Sequence, residues 1–140
     1  VNKPFSRELY ERDDAAKEFV ITFFTVRYGW IVYVNPDQYG IDLIVENERG
    51  TFELEVEVKH NWKGPKFPYP TIHFAARKLK FAKNPANVNF IMLNDDWTYA
   101  VVIDGPTFAS SPIITKDTIY TKNERFVEVS IAKGQLLKLS

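Results

Sequence analysis

Gly40-Ile41-Asp42-Leu43-Ile44 and, a short polar break later, Thr51-Phe52-Glu53-Leu54-Glu55-Val56-Glu57-Val58-Lys59 are the stretches that decide the fold. Side chains of a strand alternate between the two faces of its sheet. In the second stretch Leu54, Val56 and Val58 therefore point one way, and Glu53, Glu55, Glu57 and Lys59 the other. One face is expected to be core and the other crowded with charge. Asn47-Glu48-Arg49-Gly50 reads as the hairpin connection between them, with strands over 41–46 and 51–60. Folded back in this way, the hairpin can lay Asp42 beside Glu57 and Lys59.

Outward from the hairpin, residues 30–34 form a further strand, closed by the turn Asn35-Pro36-Asp37. Before it, Ser6 is a plausible N-cap for a helix that runs to about Arg27 and stops ahead of Gly29. Leu9, Ala16, Val20 and Phe23 recur at helical spacing, and Phe19, Ile21 and Phe24 widen the apolar face. A helix apolar on most sides is one that packs on a sheet. After the hairpin, residues 61–71 hold three prolines and read as a loop. A helix is expected over 72–82 and strands over 88–93 and 99–103; residues 105–125 look irregular, and 126–131 forms a last strand. The order α-β-β-β-α-β-β predicts one α/β domain over residues 1–140, a mixed sheet flanked by helices.

Composition fits that reading. Of 140 residues 45% are hydrophobic and 15% aromatic, enough for a core and against disorder. Cysteine is absent, which removes disulfides and thiolate chemistry. No apolar run reaches the ~20 residues of a membrane helix, and the first residues show no signal-peptide pattern, so a cytoplasmic setting is expected. The net charge is zero but unevenly spread: residues 1–58 carry 6 basic and 12 acidic side chains, and residues 59–83 carry 7 basic and no acidic ones. Such a basic block suits phosphate, or is simply a solvated lysine-rich surface.

Two carboxylates meeting near a backbone carbonyl make a hard oxygen site of the kind Mg²⁺ or Mn²⁺ takes. A neighbouring lysine can lower the pKa of an attacking water or steady charge on a phosphoryl group. Here the sequence resembles the PD-(D/E)XK nuclease superfamily, with a restriction-endonuclease-like αβββαβ core. The matching text is Gly40-Ile41-Asp42-Leu43-Ile44, then Glu57-Val58-Lys59, with Ala15-Ala16-Lys17-Glu18 as the preceding helical element. Ile41 stands where the motif has proline. The likeness covers about residues 8–83 and is greatest to small resolvase-type and phage or mobile-element nucleases.

That resemblance implies a metal-dependent nuclease cutting DNA in the first place and RNA in the second, through a metal-activated water, with a 5′-phosphate left behind. It implies that Asp42 and Glu57 bind the metal together with the Val58 carbonyl, that Lys59 orients the water, and that Glu18 completes the site. Resolvase-like relatives act as dimers, because two nicks need two sites. A non-catalytic nucleic-acid-binding module of the same fold, working within a larger complex, is the alternative; an interaction domain with a merely solvated acidic strand is the third.

Lys63, Lys66, His73, Arg77, Lys78 and Lys80 are the candidate nucleic-acid contacts, with His73 and Arg77 one helical turn apart on the expected helix. Trp62, Phe67 and Tyr69, interleaved with Lys63 and Lys66, suit base stacking or a loop stapled to the core by its rings. Glu55 reads as a peripheral charge, since a glutamate and not a lysine follows two positions on. Only two histidines and no cysteine are present, so no zinc spacing exists, and no glycine-rich phosphate loop appears.

Overall fold

The computed structural model describes residues 7–139, with side chains from Glu11 onward. Ser6 and the side chain of Leu9 lie outside the described residues. Helix α1 spans Arg7–Tyr28. It ends at Gly29, whose N–H donates to the Thr25 carbonyl at 3.0 Å from a left-handed backbone at φ 69°. That conformation costs glycine little, which makes it the usual helix stop.

Strands β1 (Ile31–Val34), β2 (Leu43–Asn47) and β3 (Gly50–Val58) form an antiparallel meander. Strand β5 (Val88–Leu93) then joins β3 in parallel, followed by antiparallel β6 (Tyr99–Asp104) and β9 (Gln135–Lys138). The six-stranded order is β1-β2-β3-β5-β6-β9. A second sheet, ordered β4-β8-β7, contains β4 (Thr71–Ala75), β7 (Ile113–Lys116) and β8 (Glu124–Ser130).

The expected helix over 72–82 is where sequence and structure part. Its first half is strand β4, in which Ile72 and Phe74 are buried while Thr71, His73 and Ala75 are half-buried. Its second half is a 3₁₀ helix over Ala76–Ala82. The strand forms because β8, far along the chain, pairs with it from Thr71↔Ser130 to Ala75↔Phe126. Residues 105–125 are also less irregular than expected. The short helix α2 (Gly105–Ser110) is capped by Asp104, whose carboxylate accepts from Thr107 N–H at 2.7 Å.

Each face of the large sheet carries its own core. On one side Val20 and Phe24 of α1 pack on Val32, Leu43, Val45, Leu54, Val56, Ile91 and Leu93. On the other, Phe90, Met92 and Ile103 meet Ile72, Phe74, Val127 and Val129 of the small sheet, with Phe108 and Trp62 filling the space between. Of the β3 glutamates, Glu55 is therefore buried, and Glu53 and Glu57 are half-buried. Glu55 and Glu57 pair with Phe90 and Met92 of β5, at the margin of this second core.

The loop 61–71 divides its aromatic residues. Trp62 and Phe67 are buried with rings 5.2 Å apart, while Tyr69 remains exposed. Buried Asn94 fixes the loop by donating to the Gly64 carbonyl at 3.1 Å.

Candidate functional site

The hairpin turn determines which acids meet. Asn47 pairs with Gly50 and Leu43 with Leu54, so one further step along the ladder sets Asp42 against Glu55. The side chains complete that step. Glu55 Oε1 accepts from the Asp42 N–H at 3.1 Å, and Asp42 Oδ2 accepts from the Val56 N–H at 2.9 Å. Glu57, two residues along β3, lies on the same strand face as Glu55.

Two ammonium groups close over these acids. Lys78, buried on the 3₁₀ helix, donates to Glu55 Oε2 at 2.9 Å and also contacts Glu57 Oε1. Lys17, on α1, reaches Asp42 Oδ1 at 3.1 Å. Asp13, Lys17, Asp42, Glu55, Glu57 and Lys78 line a cleft of about 420 Å³, joined by Val58, His60 and Arg77. A larger hollow of about 750 Å³ lies along Phe24, Tyr28, Trp30 and Phe52. It brings no comparable set of acids together, so the chemistry belongs to the smaller cleft.

Three carboxylates against two ammoniums leave one negative charge uncompensated in a poorly hydrated place. Glu55, 5% exposed, bears most of that cost: burial pushes its carboxyl up to about 7, Asp42 adds to the rise, and Lys78 opposes it. Burial works against the Lys78 ammonium too, but Glu57 and Glu55 outweigh it and raise its pKa. Lys17 behaves alike: burial disfavours its charge, and Asp42 chiefly raises it nonetheless.

The residues singled out from the sequence distribute unevenly around this cleft. Asp42, Glu57 and Val58 line it. Lys59 stands beside it, its Nζ 5.4 Å from the centre of the Tyr69 ring. Its pKa is lowered, first by burial and then by Lys116, with Glu57 opposing. Glu18 is exposed and outside the lining; Asp13, Ala16 and Lys17 form the α1 face turned to the cleft.

Among the basic candidates, Arg77 is exposed at the cleft, and Lys80 is exposed with its Nζ over the Phe81 ring at 5.1 Å. Lys78 is drawn inward, onto the two glutamates. Lys63 pairs with Asp95 at 3.2 Å, Lys66 is exposed, and His73 sits on β4 and not on a helix.

Sequence reasoning passed over Glu55, Lys17 and Lys78 as members of the cluster. The hairpin arithmetic points to Glu55. No local signal points to Lys78, whose position depends on how residues 76–82 return over β3.

Asp42, Glu55 and Glu57 converge at the cleft, and two cationic side chains, Lys17 and Lys78, rest on their oxygens. Among the described residues, no group of three or more His, Cys, Asp or Glu side chains is drawn together tightly enough to hold a metal ion as it stands. Also among the described residues, no helix is long and apolar enough to cross a membrane.

No protein-family model and no curated protein matches the sequence. The fold does have a counterpart. The chain is similar in structure to a nuclease from a fusselovirus, with a TM-score of 0.51 and 13% sequence identity, over 96% of this chain and 90% of that one. At that identity the likeness concerns the fold.

Proposed function

We propose that the chain is a metal-dependent nuclease of the PD-(D/E)XK type, cutting DNA by hydrolysis at the cleft between β3, α1 and the 3₁₀ helix. The observation that carries this reading is the meeting of Asp42 with Glu55 across the hairpin, with Glu57 on the same face and Lys78 reaching both glutamates. The fold shared with a viral nuclease supports it.

Asp42, Glu55 and Glu57 are the residues that would hold Mg²⁺ or Mn²⁺, with the Val58 carbonyl as a further oxygen. When bound, the ion supplies charge neutralisation at the phosphate and a water of lowered pKa. Displaced from the carboxylates, Lys78 and Lys17 are placed to meet the phosphate oxygens on which negative charge grows. Arg77, exposed on the same cleft, can hold a neighbouring phosphate in a bidentate grip. Hydrolysis forms one new P–O bond from water and breaks the P–O3′ bond. The departing 3′-oxygen takes a proton and the 5′-phosphate stays on the other fragment. The substrate is DNA before RNA, and paired copies of the chain would cut both strands of a branched substrate.

One observation favours the rival reading of a binding module that does not cut. The two lysines already neutralise most of the acidic charge, as they would in a site that had dispensed with metal. The deciding experiment incubates the protein with labelled single-stranded, duplex and branched DNA in Mn²⁺ or EDTA, alongside Asp42→Asn, Glu55→Gln and Lys59→Ala. Cutting in Mn²⁺ alone, abolished by Asp42→Asn and Glu55→Gln, is the expected result. Binding without cutting in any condition would establish the module instead.

A further inference from the structure

A second group of charged and aromatic side chains lies beside the cleft, on the open face of the small sheet. His73 of β4 and Glu128 of β8 are direct cross-strand partners, and His73 Nε2 stands 2.9 Å from Glu128 Oε2. Lys116 of β7 donates to His73 Nδ1 at 2.9 Å. The three therefore form a chain, Lys116 to His73 to Glu128, joined through the two ring nitrogens.

Each lysine in this region rests on a ring. Lys116 Nζ is 4.8 Å from the centre of Phe126, and Lys59 Nζ is 5.4 Å from that of Tyr69. Burial and then the charge of Lys116 lower the pKa of Lys59, while Glu57 of the cleft opposes them. Lys116 and Tyr69 are exposed, while Phe126 and His73 are half-buried.

We propose that Lys59 and Lys116 seat a phosphate of single-stranded nucleic acid, held open by His73, while the rings of Tyr69 and Phe126 stack on its unpaired bases. Two like charges that disfavour one another form a poor arrangement in water and a good one around an anion. Rings beside ammoniums select a strand whose bases are free, because the bases of a duplex are already stacked on one another. Lys59 borders both groups, so a strand on this face leads towards Glu57 and the cleft. The inference rests on the nucleic-acid reading above and specifies which form of the polymer enters, and over which residues.

Binding measured in EDTA separates this proposal from the cutting chemistry. Fluorescence anisotropy with a short fluorescein-labelled oligothymidylate, and with a duplex of equal length, is followed against KCl concentration. The variants are Lys116→Gln, Phe126→Leu, Tyr69→Leu and, as an exposed control elsewhere, Lys133→Gln. Lys116→Gln is expected to weaken single-strand binding severalfold and to reduce the salt slope by about one. Tyr69→Leu and Phe126→Leu are expected to weaken it by roughly tenfold each without altering that slope or the duplex affinity.

Tyr69 is at the surface, so its variant remains informative if Phe126→Leu loosens the sheet. Wild-type binding by Lys116→Gln, or equal losses on single strand and duplex in the ring variants, overturns the proposal. So does full competition by inorganic phosphate at matched ionic strength, which would mark a simple anion seat. If cutting in Mn²⁺ fails while these binding effects appear, the nuclease reading falls and this one stands.

Discussion

Lys78 against Glu55 and Lys63 against Asp95 are lysine–carboxylate contacts of nearly equal length, 2.9 and 3.2 Å, yet the two acids move in opposite directions. At Asp95 the hydrogen bond from Lys63 dominates, Arg12 adds to it, and the carboxyl is held below its ordinary value. At Glu55 burial dominates and the carboxyl rises. The Lys63 side chain is 76% exposed and that of Lys78 is 11% exposed. Water screens the first contact and lets both ions keep most of their hydration. The second removes both ions from water and shares one ammonium between two acids. Contact length does not distinguish a pair that ornaments the surface from one that stores unfavourable charge; hydration does.

The largest effect expected from this contrast is the loss of Lys78. Lys78→Ala leaves Glu55 and Glu57 facing each other without their shared cation, and should lower unfolding free energy by about 3–5 kcal/mol, read by urea melts in EDTA. A loss no greater than that of a surface lysine would remove the contrast. If the cleft accepts a divalent ion in place of the ammonium, added Mn²⁺ should restore part of the Lys78→Ala stability and little of that of Asp42→Asn. Thermal melts of both variants with and without the metal test this.

The pH dependence is next in size. A carboxyl whose folded pKa is raised favours the fold when protonated. Glu55 therefore contributes no penalty below its ordinary value near 4.5, and stability is lost as pH climbs towards and through about 7. Between pH 5 and pH 8 the wild type should lose up to roughly 3 kcal/mol relative to Glu55→Gln, whose side chain imitates the protonated form. Parallel curves for the two proteins would show that Glu55 stays hydrated after all. The smallest effect belongs to the open cluster. Asp95→Asn should melt at the wild-type temperature within error, and any difference should vanish in high salt.

Much of the fold could be read from local pattern. The α1 spacing, the β2–β3 hairpin and strands β5 and β6 follow from periodicity and turn chemistry, and the structure places them within a few residues. What was obscured has identifiable physical causes. Thr71-Ile72-His73-Phe74-Ala75 alternates as a strand should, yet it reads together with 76–82 as one helix until the distant β8 decides for the strand. Asp104-Gly105-Pro106-Thr107 carries an N-cap and an early proline, a legible start to α2 within a stretch that otherwise looked irregular.

At the candidate site, the motif points to Asp42, which lines the cleft. The motif favours Glu57 over Glu55 because a lysine follows Glu57 two positions on, and both line the cleft. The turn at Asn47–Gly50 carried the better information, since a two-residue connection fixes every pair in the ladder above it. The role of Lys78 could not be read locally, because a side chain's distance from a strand of low sequence proximity is a property of the finished fold.

Strands β3 and β5 lie side by side in parallel, and a parallel neighbour needs a crossing segment between its partners. That segment, residues 59–87, includes both β4 and the 3₁₀ helix. The hairpin can therefore form early from contacts close in sequence, whereas the cover over its glutamates must wait for a long loop to close and for β8 to arrive. Assembly of the acidic centre is expected to be a late step in folding. Until then its carboxylates remain hydrated and mutually repelling, so ionic strength should affect the speed at which the chain reaches its native state.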